Sequence, residues 1–398
     1  MAGSVAGLDD LLSPEGWPYA SAEAVAAGDP GRFHALFGRD SAIVSLEVLP
    51  ARPEVARATL RALASLLGSA EDPETDEEPG KVVHEWWPRA PERLRRGGWP
   101  VRNGGLRYYG SADSTSWFLL LLASLGERAL AAELEPAWRA AGGWLERALH
   151  GGGGLIRHGP RRAPGGLAQQ GWRDAEDPAD PAYHGAGILN PDGTVPRPPL
   201  ADADTQAVAV VALRAMALLS GEERWSEEAE MLVAAIGEAF DPETVAVAAD
   251  GERVAGAGSQ LGWLLWADAL PEDARERVAE RLCQSDVLTP WGLRTLSSEH
   301  PLYAPEAYHR GAVWPFDSWL GWSGLRAAGR PEAERLRRGI LDAIDAIGGA
   351  PELFAAAPDG PERILIANHV QAWTVGARWA LEHEWGGRAQ SLFEEKSR

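Results

Sequence analysis

The 398-residue sequence is poor in cysteine, in positive charge and in long apolar runs, and each shortage excludes a class of protein. Its one cysteine, Cys283, cannot form an internal disulfide, and its apolar helical surroundings predict a place in the core. Thirty-eight basic residues stand against 58 acidic ones, which gives a formal charge of −20. This charge argues against nucleic acid or an anionic membrane as partner and favours neutral or cationic ligands.

Apolar residues form no uninterrupted run of about 18, and residues 1–14 lack the basic start and apolar stretch of a signal peptide. We therefore expect no membrane span and a cytoplasmic protein. The hydrophobic share of 45% is still enough for a sizeable core. Tryptophan is in excess, with 18 copies, and such an excess near acids is more typical of sugar-stacking clefts than of plain cores.

A helical period of apolar residues recurs along the chain in pairs of segments joined by short connections. The predicted helices span residues 39–48 and 53–67, 114–125 and 130–149, 204–219 and 224–240, 259–269 and 271–283, 313–328 and 331–347, and finally 370–384. A short helix near residues 8–12 is a candidate partner for the last one and would close a ring. No parallel sheet is expected, and residues 245–248 predict one short hairpin strand.

Long loops separate the pairs, and because each pair is a tight antiparallel hairpin, these loops must emerge at one end of the assembly. The pattern predicts an all-α, single-domain (α/α)6 toroid, with an open superhelical solenoid as the alternative. Residues 33–385 form the predicted domain, preceded by a lead-in segment at 1–32 and followed by a tail at 386–398. No feature of the sequence predicts an oligomeric state.

The first helix of each pair begins with polar residues, on the same rim as the long loops. Helix capping explains such residues at 202, 259 and 368, since Asp, Ser and Asn satisfy free N–H groups. Arg39, Gln206, His309 and Arg310 are not preferred caps. Their position therefore predicts a cleft at this rim.

Two loops supply candidate catalytic carboxyls. Residues 169–177 place Asp174, Glu176 and Asp177 beside Trp172 in a segment rich in glycine and proline. A carboxyl partly dried by an aromatic face can keep its proton near neutral pH and act as an acid. The second loop contains Glu352, framed by apolar residues directly after the fifth helix pair. The alternatives without a catalytic role are a polar surface loop for residues 169–177 and a solvent-facing side chain for Glu352.

Other chemistries have less support. There is no glycine-rich phosphate loop, and His84, Glu85 and His309 lack the spacing of helical zinc ligands, so we expect neither metal nor cofactor. A Ser–His–Asp triad stays open, but no serine occurs in a nucleophile-elbow pattern.

Several of these segments resemble, in the same chain order, the glucosidase domain of glycogen debranching enzymes (amylo-α-1,6-glucosidase). They are residues 36–41, 72–81 with 84–85, 108–111, 170–174, 291–297, 308–315 and 351–354. The resemblance covers roughly residues 33–385. It implies an (α/α)6 toroid of the inverting glycoside hydrolase clan that includes glucoamylases and the processing and glycerate-glucoside hydrolases.

The resemblance also implies roles for individual residues, with Asp174 as general acid and Glu352 as general base. Arg39 and Asp40 match the pair that grips hydroxyls of the terminal sugar. Trp172 offers a flat face for a sugar ring, and Gln206 joins the candidates by its place on the rim. The same subsite would be lined by Tyr109, Asp113, His309 and Trp314.

Two departures from the family pattern narrow the expected activity. Arg173 stands where the family often has lysine, and the first motif already begins at residue 36, without the domain that precedes the toroid in debranching enzymes. The main expectation is an inverting enzyme that cleaves a terminal α-glucosidic bond. A hydrolase of a small α-glycoside such as glucosylglycerate or mannosylglycerate, a phosphorolytic enzyme and an inactive sugar-binding toroid are the alternatives.

Overall fold

The computed structural model describes residues 4–21, 31–159, 165–174 and 187–388. Glu176 and Asp177 of the acidic stretch therefore lie outside the described residues. Within them the chain forms thirteen α-helices. These are α1 (Gly38–Glu47), α2 (Pro53–Ser65), α3 (Glu92–Arg96), α4 (Ser114–Leu125), α5 (Arg128–Glu133), α6 (Glu135–Gly151), α7 (Ala203–Ser220), α8 (Arg224–Ala239), α9 (Gln260–Trp266), α10 (Glu272–Leu282), α11 (Pro315–Ala327), α12 (Glu332–Ile347) and α13 (Ala372–Glu382).

Six helices form a closed inner ring. Going round it, α1 packs on α4, α4 on α7, α7 on α9, α9 on α11, α11 on α13, and α13 returns to α1. The outer partners of the first five inner helices, α2, α6, α8, α10 and α12, pack outside the ring. This closure confirms the predicted (α/α)6 toroid and excludes the open solenoid.

The two sets of helices differ in sequence because they differ in surroundings. The inner helix α4 is buried from Ser114 to Ala123 without a polar face, since it has neighbours on every side. The outer helix α12 instead buries a stripe of residues three or four apart, Leu336, Ile340 and Ile344 among them. Burial on all sides explains why the inner helices read as apolar throughout.

The N-terminal segment fills the sixth outer position, between α13 and α1. It contains a short 3₁₀ helix, Asp9–Leu11, and buries Leu8 and Trp17 in the common core. The backbone N–H of Ala372 at the start of α13 donates to Ala20 O at 2.8 Å. The predicted partner of the last helix is thus present, although as a single 3₁₀ turn.

Small antiparallel sheets lie at the rim where the inner helices begin. Their strands are β1 (Leu36–Phe37), β2 (Glu85–Trp87), β3 (Leu106–Tyr108), β4 (Ala201–Asp202), β5 (Thr244–Val247), β6 (Arg253–Ala255), β7 (Phe354–Ala357) and β8 (Gly360–Arg363). The orders are β1-β2-β3, β4-β5-β6 and β7-β8. β1 and β4 lead directly into α1 and α7, which fixes how these helices enter the rim. The expected strand near 245–248 is confirmed as β5, and the other strands were not predicted.

Two helical segments differ from the expectation. The predicted helix at 130–149 is two helices, α5 and α6, with Pro136 in the first turn of the second, where its missing N–H costs little. The short helix α3 in the loop between the first and second pairs was not predicted. Among the described residues one helix, α7, is long and apolar enough to span a membrane, and 72% of it is buried inside the protein.

Candidate active site

A cavity of about 280 Å³ opens at the rim where the inner helices begin. Its wall comes from the start of α1, the loop at 165–174, the segment around Trp314 and the loop that carries Glu352. The helix α3 and Trp99 form one side of its mouth. Of the ten predicted site residues, those in the lining are Arg39, Asp40, Trp172, Asp174, Trp314 and Glu352.

The loop that carries Asp174 is held at nearly every residue before it. Gln169 exchanges two hydrogen bonds of 2.7 Å with the backbone of Ile188. The N–H of Gln170 donates to His158 Nδ1 at 3.1 Å, and its carbonyl accepts from Ala112 N at 2.8 Å. A loop with this many bonds to separate parts of the ring is a rigid mount for the carboxyl at its end.

The carboxyl of Asp174 has the surroundings expected of an acid that keeps its proton. Burial raises its pKa to about 6, against the opposing effect of Arg39, whose Nη1 donates to Asp174 Oδ2 at 2.7 Å. The nearby charge of Asp113 raises the pKa further. The side chain is still 19% exposed, so the carboxyl faces the cavity.

Arg39 links the acid loop to the inner helices. Its Nε donates to Asp113 Oδ2 at 2.8 Å, and its Nη2 donates to Gly171 O at 2.9 Å. Ser111 Oγ supports Asp113 with a bond of 2.8 Å. Each nitrogen of the Arg39 guanidinium therefore donates to a protein group. Asp113 lies behind Arg39, outside the cavity lining.

Asp40 is the second carboxyl of the α1 start and is almost fully buried. Burial raises its pKa to about 7, Arg39 opposes this, and the charges of Asp174 and Glu352 add to it. Asp40 therefore lies within electrostatic reach of both other carboxyls. The three carboxyls share one cavity, with the cation of Arg39 beside two of them.

Glu352 is 1% exposed and surrounded by donors. Its Oε1 accepts from the hydroxyl of Tyr308, and its Oε2 accepts from Asn368 N at 2.9 Å and Asn368 Nδ2 at 3.1 Å. Three donors on two oxygens give the Glu352 carboxyl the role of a hydrogen-bond acceptor. Asn368 serves here as a support for Glu352, not as the helix cap that the sequence suggested.

Aromatic rings form the floor of the cavity. Trp172 stacks on Trp263 with ring centroids 5.6 Å apart and meets Trp314 edge-on at 5.5 Å. Trp373 of α13 packs at 5.4 Å from Trp314 and also lines the cavity. Such rings, held rigid by one another, give flat apolar faces of the kind on which sugar rings stack.

His309 is placed differently from the expectation. It lies outside the cavity lining, stacked on Trp314 at 5.3 Å and 6°, and is 3% exposed. Burial, together with the charges of Arg173 and Arg39, holds its pKa well below the ordinary value. Neither ring nitrogen has a hydrogen-bond partner among the described residues. A neutral imidazole packed behind the tryptophan supports the cavity floor rather than binding in front of it.

Tyr109 and Gln206, expected as sugar contacts, lie in the scaffold outside the cavity lining. Tyr109 donates its hydroxyl to Leu66 O at 2.9 Å inside the core. The side-chain amide of Gln206 accepts from Ile156 N at 2.8 Å and donates to Ile156 O at 2.9 Å. The polar groups of both side chains form hydrogen bonds with the backbone, and neither side chain reaches the cavity lining.

Within the described ranges no group of three or more His, Cys, Asp or Glu side chains could hold a metal ion. His84 and Glu85 do reach the cavity wall. His84 packs edge-on against Phe37 and Tyr108, and Glu85 accepts from the indole N–H of Trp87. They therefore shape the wall as part of an aromatic cluster.

Several cavity residues were missed from the sequence. Tyr308 was noted only as part of a motif, although its hydroxyl donates to Glu352. Trp373, Gln371, Trp99 and Arg93 were not singled out at all. The sequence signals that could have pointed to them are the tryptophan excess and the arginine-rich stretch at 89–107. Neither signal has a fixed spacing that would identify individual residues.

Comparison with known proteins agrees with the class that the ring and its cavity define, a glycoside hydrolase of the toroidal type. A family model described as the mannosylglycerate hydrolase MGH1-like glycoside hydrolase domain matches residues 38–356. The chain belongs to this family. The clan predicted from the sequence is confirmed, while the matching family is not that of the debranching enzymes.

Solved structures show the same fold at low identity. One is the GH63 mannosylglycerate hydrolase of Thermus thermophilus in complex with Tris and D-glycerate, with a TM-score of 0.68, 17% identity and coverage of 95% of this chain and 98% of that one. The same enzyme in complex with glucose gives 0.67 and 18%, with coverage of 95% and 98%. A rhamnosidase from Klebsiella oxytoca with rhamnose bound gives 0.54 and 16%, covering 89% of this chain and 59% of that one. No curated protein matches the chain in sequence.

Proposed function

We propose that this protein hydrolyses a small α-glycoside with an anionic aglycone, of the glycosylglycerate class, and that the anomeric carbon is inverted. Asp174 donates a proton to the glycosidic oxygen. Glu352 takes a proton from a water molecule, which attacks the anomeric carbon from the opposite side. The products are the free hexose with inverted configuration and the glycerate with its hydroxyl restored.

The observation that carries this proposal is the contrast between the two carboxyls of one cavity. Asp174 has burial that raises its pKa to about 6 and one side open to the cavity. Glu352 has three donors on its oxygens. A carboxyl with a raised pKa beside a second carboxyl that accepts from three donors can divide the roles of acid and base.

The order of the ring supports inversion. The loop of Asp174 precedes α7, the third inner helix, and the loop of Glu352 precedes α13, the sixth. The two loops therefore enter the rim from different parts of the ring, and Asp174 reaches Arg39 at the start of α1. An inverting enzyme needs about 6.5–9.5 Å between its two carboxyls to admit the water, and we expect a separation in this range.

Arginines in the cavity lining support the proposal of an anionic aglycone, although the chain as a whole carries a formal charge of −20. Arg32 and Arg93 both line the cavity. Residues 89–107 contain six arginines and a single acid, and Arg93 of this stretch lines the cavity, while Arg102 pairs with Asp72 and Glu74. A carboxylate-bearing substrate would be repelled by the protein as a whole and attracted here. The family name and the D-glycerate bound to the Thermus thermophilus enzyme point to the same substrate class.

The debranching activity expected first from the sequence has less support. A cavity of about 280 Å³ lies at the small end of the range of about 300–1,000 Å³ typical of ligand pockets. It suits one sugar with a short aglycone. Arg93 and Leu94 of α3, together with Trp99, take up part of its wall.

The test is a comparison of substrates on the purified protein. Release of free hexose is measured with α-mannosylglycerate, α-glucosylglycerate, isomaltose and a branched dextrin, and Asp174→Asn/Glu352→Gln serves as inactive control. We expect kcat/KM for one of the two glycosylglycerates to exceed that for isomaltose and dextrin by at least about tenfold. Faster release from dextrin would restore the debranching interpretation. Release of sugar phosphate that depends on added phosphate would show phosphorolysis, and no turnover of any substrate would leave a binding protein.

A further inference from the structure

We propose that Arg173, the neighbour of the expected acid, is a positioning residue that sets where the carboxyl of Asp174 stands. The inference rests on the proposed function, since it concerns the same acid. The Arg173 side chain is 4% exposed and turns away from the cavity into the interior of the ring. It is not part of the lining of the cavity that holds Asp174.

Arg173 uses each of its three nitrogens on a different partner. Nε donates to Asp204 Oδ2 at 2.9 Å, and Nη1 donates to Thr295 O at 2.9 Å. Nη2 lies 3.2 Å from Ser259 Oγ and 3.4 Å from Gln260 Oε1. These partners belong to α7, to the start of α9 and to the loop before α11. One side chain thus ties the acid loop to three separate parts of the ring.

The Thr295 contact extends toward the loop of the expected base. Thr295 N donates to Ala312 O at 3.1 Å, and the residue after Ala312, Val313, exchanges bonds of 2.8 and 3.0 Å with Phe354. Phe354 lies two residues after Glu352. The bonded path therefore runs from Asp174 through Arg173 and Thr295 to the segment that carries Glu352. Arg173 is the side chain by which the acid loop enters this path.

The surroundings of Arg173 leave little room to adjust. A Cβ added at Gly258 would stand 2.3 Å from Thr295 O and 2.9 Å from Gln260 Oε1. The guanidinium also lies over the ring of Trp172 at 4.9 Å. The guanidinium carries its donors on three separate nitrogens that reach these spaced partners at once, whereas lysine has all its N–H groups on one atom. This explains why arginine stands here in place of the lysine expected from the resemblance.

The experiment compares Arg173→Lys with the wild type on two substrates. One is the glycosylglycerate that the wild type hydrolyses, and the other is the α-fluoride of the same hexose. Fluoride is a good leaving group and needs little help from a general acid. A displaced Asp174 should therefore slow the first reaction far more than the second. We expect kcat for the glycosylglycerate to fall about 10–100-fold with KM changed less than about threefold, and kcat for the fluoride to fall less than about threefold.

Arg214→Lys is the matched control. Arg214 of α7 also donates to two backbone carbonyls, Ala267 O at 2.7 Å and Asp268 O at 3.1 Å, but at the other end of the ring. It should leave the ratio of the two rates unchanged. Equal loss of both reactions in Arg173→Lys, at wild-type helical content, would show that Arg173 only holds the fold together and would overturn the inference.

A second variant covers the case in which Arg173→Lys does not fold. Asp204→Asn keeps the shape of the partner and removes its charge, which weakens one of the three attachments. It should lower the glycosylglycerate-to-fluoride rate ratio in the same direction by about threefold or more. An unchanged ratio would contradict the inference. If the wild type hydrolyses the fluoride and no glycosylglycerate, the proposed substrate is wrong and the inference is tested with whichever glycoside is turned over.

Discussion

Carboxyls that share the rim cavity differ because their neighbours differ, and this difference is the physical basis of the proposed chemistry. Asp174 and Asp40 are both dried by burial, which raises the pKa of the first to about 6 and of the second to about 7. Glu352 is buried as well, and its oxygens also accept hydrogen bonds from Tyr308 and Asn368. Sequence reasoning found the acid and base candidates, because each lies in a polar or enclosed loop setting. It could not find their supports, because hydrogen-bond partners come from distant segments.

The pKa of Asp174 predicts a pH profile with a limb on the alkaline side. A general acid works only while protonated, so kcat/KM should fall as pH rises through about 6, with Asp40 titrating close by and sharing the limb. Measuring kcat/KM for the glycosylglycerate from about pH 4.5 to about pH 8.5 checks this. A profile flat up to pH of about 8 would show that neither carboxyl acts as the proton donor.

Arg39→Ala is expected to reduce both activity and stability. From the sequence, Arg39 was expected as a sugar contact at the rim. In the structure it neutralises Asp113, which is 1% exposed, and the variant would leave that carboxylate unpaired. The cost should be about 3–5 kcal/mol of unfolding free energy, measured by urea titration. A variant as stable as the wild type would return Arg39 to a substrate-binding role.

Glu47 provides a prediction about stability that is independent of the cavity. It lies at the C-terminal end of α1, fully buried, with neither oxygen bonded among the described residues, and burial raises its pKa well above the ordinary value. Gly376 leaves it space, since a Cβ there would lie 2.1 Å from Oε2. Folding must therefore keep a proton on Glu47 that the unfolded chain releases above its ordinary pKa.

The sign follows from proton linkage. Above the pKa of the unfolded chain the folded protein binds one proton more, so this site makes stability fall with rising pH until the folded pKa is passed. Glu47→Gln has no carboxyl to titrate. The free energy of unfolding of this variant, relative to that of the wild type, should therefore rise by about 1.4 kcal/mol per pH unit within that window. Urea unfolding of both proteins at several pH values between about 5 and 8 measures the slope. A constant difference across this range would mean that Glu47 is ionised in the folded protein.

Among the elements, the helices were predictable and the small sheets were not. Long periodic runs bounded by proline, glycine and polar starts place most helix ends within one or two residues, as for Ser114–Leu125, which was predicted unchanged. The two- to four-residue strands are too short for a period of two to be recognised. The five-residue helix α3 has the same problem, and yet it forms one side of the cavity mouth. The conformation of such short elements is determined by their contacts with the helical ring and not by a local sequence pattern.

The arginines of α3 should raise the rate with anionic substrates. Arg95 and Arg96 are exposed and both pair loosely with Glu92, at 4.0 and 3.7 Å. Arg95→Gln/Arg96→Gln should lower kcat/KM for the glycosylglycerate about 3–10-fold at low ionic strength, and the difference should shrink at about 0.5 M salt because counterions screen the charges. Hydrolysis of the neutral hexosyl fluoride should not change.

Arg277→Gln is the control for the α3 variant, since Arg277 is an exposed arginine of α10 that pairs just as loosely with Asp273, at 3.7 Å. It should leave both substrates unaffected. If the α3 variant lowers the rate for the neutral substrate as much as for the anionic one, the arginines act on the fold of the mouth and not through their charge.

At the scale of the whole molecule, the closed ring converts helix order into catalytic geometry. Alternate helices present their N-termini and the long loops at one rim, and the loops of Asp174 and Glu352, which precede α7 and α13 in the chain, both reach the cavity there. The sequence predicted this arrangement because five tight hairpins and a sixth half-pair leave few ways to bury so many apolar faces. It could not predict which polar residues turn into the ring and which face the cavity. Gln206 and His309, both expected to contact substrate, lie outside the cavity lining.

The central claim, that water attacks from the side opposite the bond broken by Asp174, is tested most directly by the configuration of the first product. The anomeric proton of the hexose released from the α-glycosylglycerate is followed by NMR within the first minutes, before mutarotation mixes the anomers. The β-anomer should appear first, and Glu352→Ala should release none. Initial release of the α-anomer, or unchanged turnover in Glu352→Ala, would show that the carboxyls do not act as the inverting pair described here.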